Sequence, residues 1–284
     1  MLTLLAASPP LLIACVALLG LLVGSFLNVV IYRLPVMLER RWQAEARELL
    51  AQDPPAEQPA FNLATPGSRC GGCGADIRPW QNIPVLSWLC LRGRAACCGA
   101  PIALRYPMVE LLTAFASGAC AWRFGFGWEL AAALALSWGL IALAFIDLDT
   151  QLLPDDITLP LVWLGLLLAL AGVRVGEAGL DDALIGAAAG YLSLWSVYWA
   201  FRLVTGKEGM GYGDFKLLAA LGAWLGWQAL PQIILLSSLV GAASGLLQIA
   251  LKRQERGATM PFGPYLAAAG WLALMGADLL GALG

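Results

Sequence analysis

Residues 128–147, WELAAALALSWGLIALAFID, form a run that is apolar except near its start and at its final aspartate. A helix needs about 20 such residues to cross a bilayer. Hydrophobic residues make up 60% of the chain and charged residues 13%. Seven further apolar runs cover 11–31, 107–124, 157–173, 183–203, 215–227, 231–251 and 262–280. The sequence therefore predicts an all-α polytopic membrane protein with about eight transmembrane helices.

The first apolar run, 11–31, has two interpretations. It could be the apolar part of a cleavable signal peptide, or it could be a helix that stays in the mature protein. Residues 1–10 contain no basic residue, and the run is long enough for a full crossing. We therefore expect a retained first transmembrane helix.

The basic residues predict the orientation of the chain. The hydrophilic stretch 32–106 is rich in arginine, which places it in the cytoplasm by the positive-inside rule. Its arginines are Arg33, Arg40, Arg41, Arg47, Arg69, Arg78, Arg92, Arg94 and Arg105. The other basic residues expected inside are Arg202, Lys207, Lys216, Lys252, Arg253 and Arg256, against Arg123 and Arg174 outside. We expect a first helix over 1–31, a cytoplasmic loop over 32–106 and a transmembrane core over 107–284.

Two aspartates lie where apolar runs meet the cytoplasmic face in this topology. The third helix ends at Asp147, and the sixth follows Gly211-Tyr212-Gly213-Asp214. Two carboxyl groups that come together can share one proton and act as an acid/base couple. The chain contains no histidine, which excludes Ser-His and Cys-His nucleophiles and histidine-ligated metals. The pattern therefore predicts an aspartyl peptidase with Asp147 and Asp214 as its catalytic residues.

Neighbouring acids and glycines allow less specific interpretations. Asp149 would point to nearly the opposite side of a continuing helix from Asp147. Asp155 and Asp156 follow a proline, so they either cap the fourth helix or support the site. The glycines of 206–214 either let an extended peptide approach or relax a loop, with Asp214 only capping the sixth helix.

The cytoplasmic loop carries a second candidate site, made of cysteines. Cys70-Gly71-Gly72-Cys73 is half of a zinc ribbon, and Cys97-Cys98 is an irregular second half because position 95 is alanine. We expect Zn²⁺ bound by Cys70, Cys73 and Cys98, with Cys97 or Cys90 as the fourth ligand. The alternatives are a three-ligand site, or a knuckle that is kept by packing without metal.

A segment just before the cysteines, Val36–Gln52, has the pattern of an amphipathic helix that ends at Asp53-Pro54-Pro55. Such a helix could lie along lipid headgroups. It could equally be a solvated connector.

Taken together, these residues resemble the type IV prepilin peptidases, which are leader peptidases and N-methyltransferases. The matching blocks are Gly24 to Pro35, Asn82-Ile83-Pro84, Arg105 to Glu110, Asp147 with Leu153-Pro154-Asp155, Gly211 to Asp214 and Pro261-Phe262-Gly263-Pro264-Tyr265. The resemblance runs nearly end to end, and it assigns the family's two catalytic aspartates to Asp147 and Asp214. Members with the full motif have two Cys-x-x-Cys pairs, and Ala95 departs from that pattern.

The resemblance implies a bifunctional enzyme of the bacterial inner membrane. It would cleave a basic leader from prepilins and pseudopilins at the cytoplasmic face, after a glycine and usually before a phenylalanine. It would then methylate the new amine with S-adenosylmethionine, in association with the type IV pilus or type II secretion machinery and without nucleic acid. No glycine-rich strand-to-helix fingerprint marks a methyl-donor site.

Two other classes of function remain open at this point. A membrane transporter or ion-binding protein could use the same acids to bind protons or cations, with the cysteine loop as a structural module. It would predict inverted repeats and acids deep within helices, which the sequence does not clearly show. A catalytically inactive assembly scaffold is disfavoured because both acids and the glycines around Asp214 are intact.

Overall fold

The computed structural model describes residues 2–51, 59–176, 178–207, 209–251 and 260–277, and these residues contain helices but no β-strand. The α-helices are α1 (Leu2–Ala7), α2 (Pro9–Leu49), α3 (Leu86–Cys90), α4 (Arg105–Phe124), α5 (Trp128–Thr150), α6 (Asp155–Leu170), α7 (Leu180–Thr205), α8 (Tyr212–Leu225), α9 (Leu230–Ala250) and α10 (Gly263–Leu274). Each of the eight predicted apolar runs overlaps a helix of its own in the described residues, α2 or one of α4 to α10. The predicted all-α class is confirmed.

Four helical segments of the described residues are long and apolar enough to cross a membrane: Pro9–Leu49, Trp128–Thr150, Leu180–Thr205 and Trp227–Ala250. The remaining apolar helices include α6, α8 and α10, with 16, 14 and 12 residues. A helix of 14 residues spans about 21 Å at 1.5 Å per residue, less than the roughly 30 Å of a bilayer core. The protein is a polytopic membrane protein, and the number of eight crossings stays a prediction.

Helix α2 is longer than the sequence predicts. It runs without a break through Pro35 to Leu49, a total of 41 residues or about 61 Å. The predicted amphipathic helix is therefore the continuation of the first apolar helix rather than a separate element. The end of the membrane-spanning part at residue 31 stays a prediction. The predicted stop at 53–55 lies outside the described residues, as do the basic residues of 252–256.

Arg33 attaches the following loop to α2. Its side chain is only 9% exposed, and it donates hydrogen bonds to the carbonyl oxygens of Asn62 at 2.9 Å and Pro66 at 2.6 Å. Its guanidinium carbon also lies 5.7 Å from the centre of the Phe61 ring. The loop before the cysteines is thereby held against the extended part of α2.

The chain divides into two compact units, one formed by 13–118 and the other by 1–12 with 119–284. The first unit holds the cysteines of the loop. The second unit holds both candidate catalytic aspartates.

Helix α8 is the central element of the second unit. It packs against α6, α7 and α10, and its side chains Phe215, Leu217, Leu218 and Leu221 are fully buried. This enclosure explains how a helix of 14 residues can be stable, since its apolar surface is covered by protein on several sides.

Two glycines bring α7 and α8 into backbone contact. A Cβ atom on Gly222 would lie 2.1 Å from the carbonyl oxygen of Gly186, and one on Gly186 would lie 2.3 Å from that of Gly222. No side chain larger than hydrogen fits there without moving a helix. This contact fixes α8, and with it the position of Asp214.

Candidate active site and metal site

Asp147 lies near the end of α5 and is buried, with 5% of its surface exposed. The helix ends three residues later because Gln151 adopts a left-handed conformation, φ 53°. The Oδ2 atom of Asp147 accepts a hydrogen bond of 2.9 Å from the backbone N–H of Gly263, the first residue of α10. The carboxylate therefore faces the positive end of a helix dipole.

Asp214 lies in the first turn of α8, which begins at Tyr212 rather than after Asp214 as the sequence suggested. It is 6% exposed, so it is buried like Asp147. A Cβ atom on Gly211 would lie 3.7 Å from Oδ2 of Asp214, which places the carboxylate at the N-terminal end of α8. A carboxylate in the first turn is favoured by the helix dipole, and this does not prevent it from taking part in chemistry.

The structure brings the two acids together within one compact unit. The side chain of Leu153 lies beside both: it would be 2.6 Å from a Cβ atom on Gly213 and 3.0 Å from one on Gly263. Sequence reasoning assigned no role to Leu153 or Gly263, although both stand in the blocks that carry the family resemblance.

The neighbouring acids have other surroundings. Asp149 is exposed on α5 while Asp147 is buried, as the helical spacing predicted. Asp155 begins α6, where the N-cap residue makes no side-chain capping bond. It instead forms an ion pair with Lys216 of α8, whose Nζ lies 2.6 Å and 2.8 Å from its two carboxylate oxygens. This pair joins the first turns of α6 and α8.

A group of aromatic rings flanks Asp214 and was not foreseen from the sequence. Tyr198 of α7 is 2% exposed, and its ring lies 5.3 Å from that of Tyr212 and 5.7 Å from that of Phe215. Arg202 donates a hydrogen bond of 3.1 Å to the Tyr198 hydroxyl. These contacts fix the glycine-rich start of α8 against α7.

Four cysteines of the loop come together in the first unit. The sulfur atoms of Cys70, Cys73, Cys97 and Cys98 all lie within 4.8 Å of one another. Two of these distances are 3.3 Å, from Cys73 to Cys97, and 3.6 Å, from Cys70 to Cys98. Tetrahedral zinc with Zn–S bonds of about 2.3 Å places its sulfurs roughly 3.8 Å apart. The four residues fit a metal ion of this kind, and Cys90 is not among them.

The cysteines are carried by two knuckles that repeat the same backbone. In the first, Cys70 N–H bonds to the carbonyl of Ala75 at 2.8 Å; in the second, Ala95 N–H bonds to that of Ala100 at 2.8 Å. Gly74 and Gly99 occupy matching positions with φ of 73° and 71°. Ala95 therefore stands where Cys70 stands in the first knuckle.

The fourth sulfur enters from a shifted position of the second knuckle. Cys97 matches Gly72 of the first knuckle, where an added Cβ atom would lie 3.3 Å from the sulfur of Cys98 and 3.9 Å from that of Cys70. A side chain at this position thus reaches the thiol cluster. The sequence contains a signal for the repeated knuckle: Arg, Cys, Gly, Ala and Ile recur at the same spacing in 69–77 and 94–102.

The thiols of the cluster influence one another. Hydrogen bonds from the backbone N–H groups of Gly72 and Cys73 lower the pKa of Cys70 to about 6. Hydrogen bonding with the sulfurs of Cys73 and Cys70 raises the pKa of Cys97 to about 12. A divalent cation favours the thiolate form of every ligand, so metal binding at this cluster would release protons.

A buried acid outside both sites holds part of the loop in place. Glu110 of α4 is 8% exposed, and its carboxylate accepts a hydrogen bond of 2.7 Å from the N–H of Val85. Val85 has a φ of 59°, which is unfavourable for a β-branched residue. The bond holds this strained turn at the start of α3.

Comparison with known proteins gives a consistent family. Residues 18–124 match the bacterial peptidase A24 N-terminal domain, and 134–246 match the type IV leader peptidase family. A prepilin leader peptidase/N-methyltransferase of Pseudomonas aeruginosa is 59% identical over 96% of this chain and 93% of its own length. Proteins of the same name from Aeromonas hydrophila and Neisseria gonorrhoeae are 59% and 50% identical over 95% and 93% of this chain, and over 92% and 90% of their own lengths. No solved structure matches the chain.

Proposed function

The chain belongs to the type IV leader peptidase family, and we propose that it removes the leader of type IV prepilins and type II secretion pseudopilins through the carboxyl pair Asp147 and Asp214. The observation that supports this assignment is the burial of both acids in one compact unit, where Leu153 packs against Gly213, next to Asp214, and against Gly263, which donates a hydrogen bond to Asp147. The same enzyme N-methylates the newly exposed amine, as the names of its relatives indicate.

The acid pair divides the hydrolysis into two proton transfers. One aspartate, ionised, takes a proton from a water molecule, whose oxygen attacks the scissile carbonyl carbon. The other, protonated, donates its proton to the departing amide nitrogen as the C–N bond breaks. Because the two groups share one proton, they titrate as a unit, and either can begin as the base.

The site is expected at the cytoplasmic face of the inner membrane. The loop before α8 carries Lys207, and Lys216 lies within α8 itself, close to its start. A prepilin is a membrane-spanning helix with a charged leader in the cytoplasm, so its scissile bond would lie at the depth of the end of α5 and the start of α8. Pilus or type II secretion assembly proteins would then receive the processed subunit.

The cysteine cluster is proposed as a structural zinc site. Cys70, Cys73, Cys97 and Cys98 would supply four thiolates, and the ion would lock the two knuckles together. S-adenosylmethionine is the expected methyl donor. The described residues contain no strand, so the donor would be held by a site unlike the strand-to-helix glycine loop of soluble methyltransferases.

The decisive experiment is cleavage of a purified prepilin in detergent by the wild type, Asp147→Asn and Asp214→Asn. Each substitution removes one acid/base group, and we expect a loss of about 10²–10⁴-fold in kcat. Asp149→Asn is the matched control, since it changes an exposed acid on the same helix. Mass spectrometry of the products reads both the cleavage position and the added methyl group.

The outcome separates the peptidase from the other classes of function. If the wild type cleaves and both variants fail while the control works, the aspartate pair is established. If either variant keeps full activity, the pair is wrong as a catalytic centre. Capping or ion binding would then be the role of the acid whose replacement left the activity unchanged.

A further inference from the structure

Gly263 lies where α10 begins, and its amide is directed at Asp147. Its N–H donates to the carboxylate oxygen Oδ2 over 2.9 Å in a buried position. The next residue, Pro264, has no N–H, and the N–H of Tyr265 bonds to the carbonyl oxygen of Phe262 at 3.1 Å. The Gly263 N–H is thus the backbone group in the first turn of α10 that donates a hydrogen bond to Asp147.

A side chain at position 263 would collide with the site. A Cβ atom there would lie 2.8 Å from Oδ2 of Asp147 and 3.0 Å from Cδ2 of Leu153. Carbon atoms essentially never approach other heavy atoms this closely, so the carboxylate or the leucine would have to move. Glycine at this position lets the backbone of α10 approach the carboxylate directly, and any larger residue would displace the end of Asp147 or of Leu153.

Leu153 connects this contact to the second acid. Its Cβ atom would lie 2.6 Å from a Cβ on Gly213, the residue before Asp214. Its Cδ2 atom packs on Gly263 at the same time, and the side chain is only 9% exposed. One leucine therefore lies against the starts of both α8 and α10.

We propose that Gly263 and Leu153 are positioning residues of the acid pair. The Gly263 N–H holds the carboxylate of Asp147, and Leu153, packed between Gly213 and Gly263, sets the distance from that carboxylate to Asp214. The proposal rests on the peptidase function proposed above. Neither residue donates or accepts a proton in the reaction.

Helix α10 offers a matched control two turns further along. A Cβ atom on Gly270 of α10 would lie 2.4 Å from Cδ2 of Leu221 of α8, a closer approach than that at Gly263. Leu221 is fully buried, and Gly270 is buried as well. Alanine at Gly270 therefore adds steric strain to the same helix, α10, against Leu221, and neither acid is among the atoms that it would meet.

The test compares Gly263→Ala with Gly270→Ala as purified full-length enzymes cleaving a prepilin in detergent. For Gly263→Ala we expect kcat to fall about 100-fold with KM within a factor of about two, because a displaced acid impairs the chemical step. For Gly270→Ala we expect a lower melting temperature but wild-type kcat per folded enzyme. Equal effects of the two variants on kcat would overturn the proposal.

A second pair of variants removes side-chain volume instead of adding it, and it provides a test if Gly263→Ala does not fold. Leu153→Ala is expected to lower kcat with KM unchanged, and Leu221→Ala to lower stability alone. Wild-type kcat in folded Leu153→Ala would refute its positioning role. Asp147→Asn in the same assay separates the two proposals. If Asp147→Asn is inactive while Gly263→Ala is fully active, only the positioning role fails. If Asp147→Asn is active, the assignment of the catalytic pair fails.

Discussion

The acid pair and the cysteine cluster bring functional side chains together over different ranges of sequence. Asp147 takes its hydrogen bond from a residue 116 positions away. The paired sulfurs of the cluster are 24 and 28 positions apart, and the backbone bonds of each knuckle close within about ten residues. A site built on local turns can take a side chain from a shifted position, as the entry of Cys97 into the cluster shows. A site built by helix packing depends on every helix that positions it.

The largest expected effect comes from breaking the helix packing behind the acid pair. Gly222→Val places a side chain where a Cβ atom would lie 2.1 Å from the Gly186 carbonyl oxygen. Overpacking of this kind typically costs about 1–3 kcal/mol or more, here against backbone that cannot rotate away. We expect the loss of prepilin cleavage in membranes and a reduced melting temperature, while the zinc content per chain stays at the wild-type level.

Gly176→Val is the control for that substitution, because an added side chain at position 176 meets nothing within 4 Å. It should leave cleavage and melting temperature unchanged. A parallel loss of zinc and cleavage in Gly222→Val would show that the cysteine cluster is not locally determined, and would remove the contrast between the two sites.

A second prediction concerns the shifted cysteine. Cys97→Ala removes one of four ligands, and a structural zinc is bound with roughly 10–16 kcal/mol in total. Losing one thiolate should lower the zinc affinity about 100-fold or more, as measured by competition with a chromogenic chelator. Adding Ala95→Cys to Cys97→Ala should restore much of the affinity, since position 95 repeats the backbone of Cys70.

Cys90→Ala is the matched control for the zinc prediction, because Cys90 lies outside the four-sulfur cluster. Its zinc affinity should equal that of the wild type. The assignment of Cys97 would be wrong if Cys90→Ala weakened zinc as much as Cys97→Ala, or if the double variant bound no better than the single one.

The smallest expected effect is at the ion pair between Lys216 and Asp155. The side chains are 27% and 55% exposed, so solvent screens the 2.6 Å contact. Exposed pairs are worth about 1 kcal/mol or less. A double-mutant cycle of Lys216→Met and Asp155→Asn should give a coupling free energy of unfolding below about 1 kcal/mol, with cleavage retained. A coupling above about 2 kcal/mol would mean that this pair holds α8 in place.

Sequence reasoning was most successful where the pattern is periodic or the residue type is rare. The apolar runs predicted the helices, and the burial of Asp147 beside the exposure of Asp149 followed from helical spacing. It did not foresee that the first helix continues past residue 31 through Pro35 to Leu49, where Arg33 donates a hydrogen bond to the loop that follows. For Asp155 it left capping and support of the site open, and it could not foresee the ion pair with a lysine 61 positions away.

The amino-acid sequence alone determined the membrane setting, the helical class, the exclusion of histidine chemistry and the choice of the two candidate acids, because these follow from composition, periodicity and rare polar residues in apolar runs. The tertiary structure decided which groups surround those acids. The Gly263 amide, the Leu153 contact and the Gly186–Gly222 approach arise between segments far apart in the chain. A glycine in the sequence does not reveal what its missing side chain would touch, and only the packed helices fix that distance.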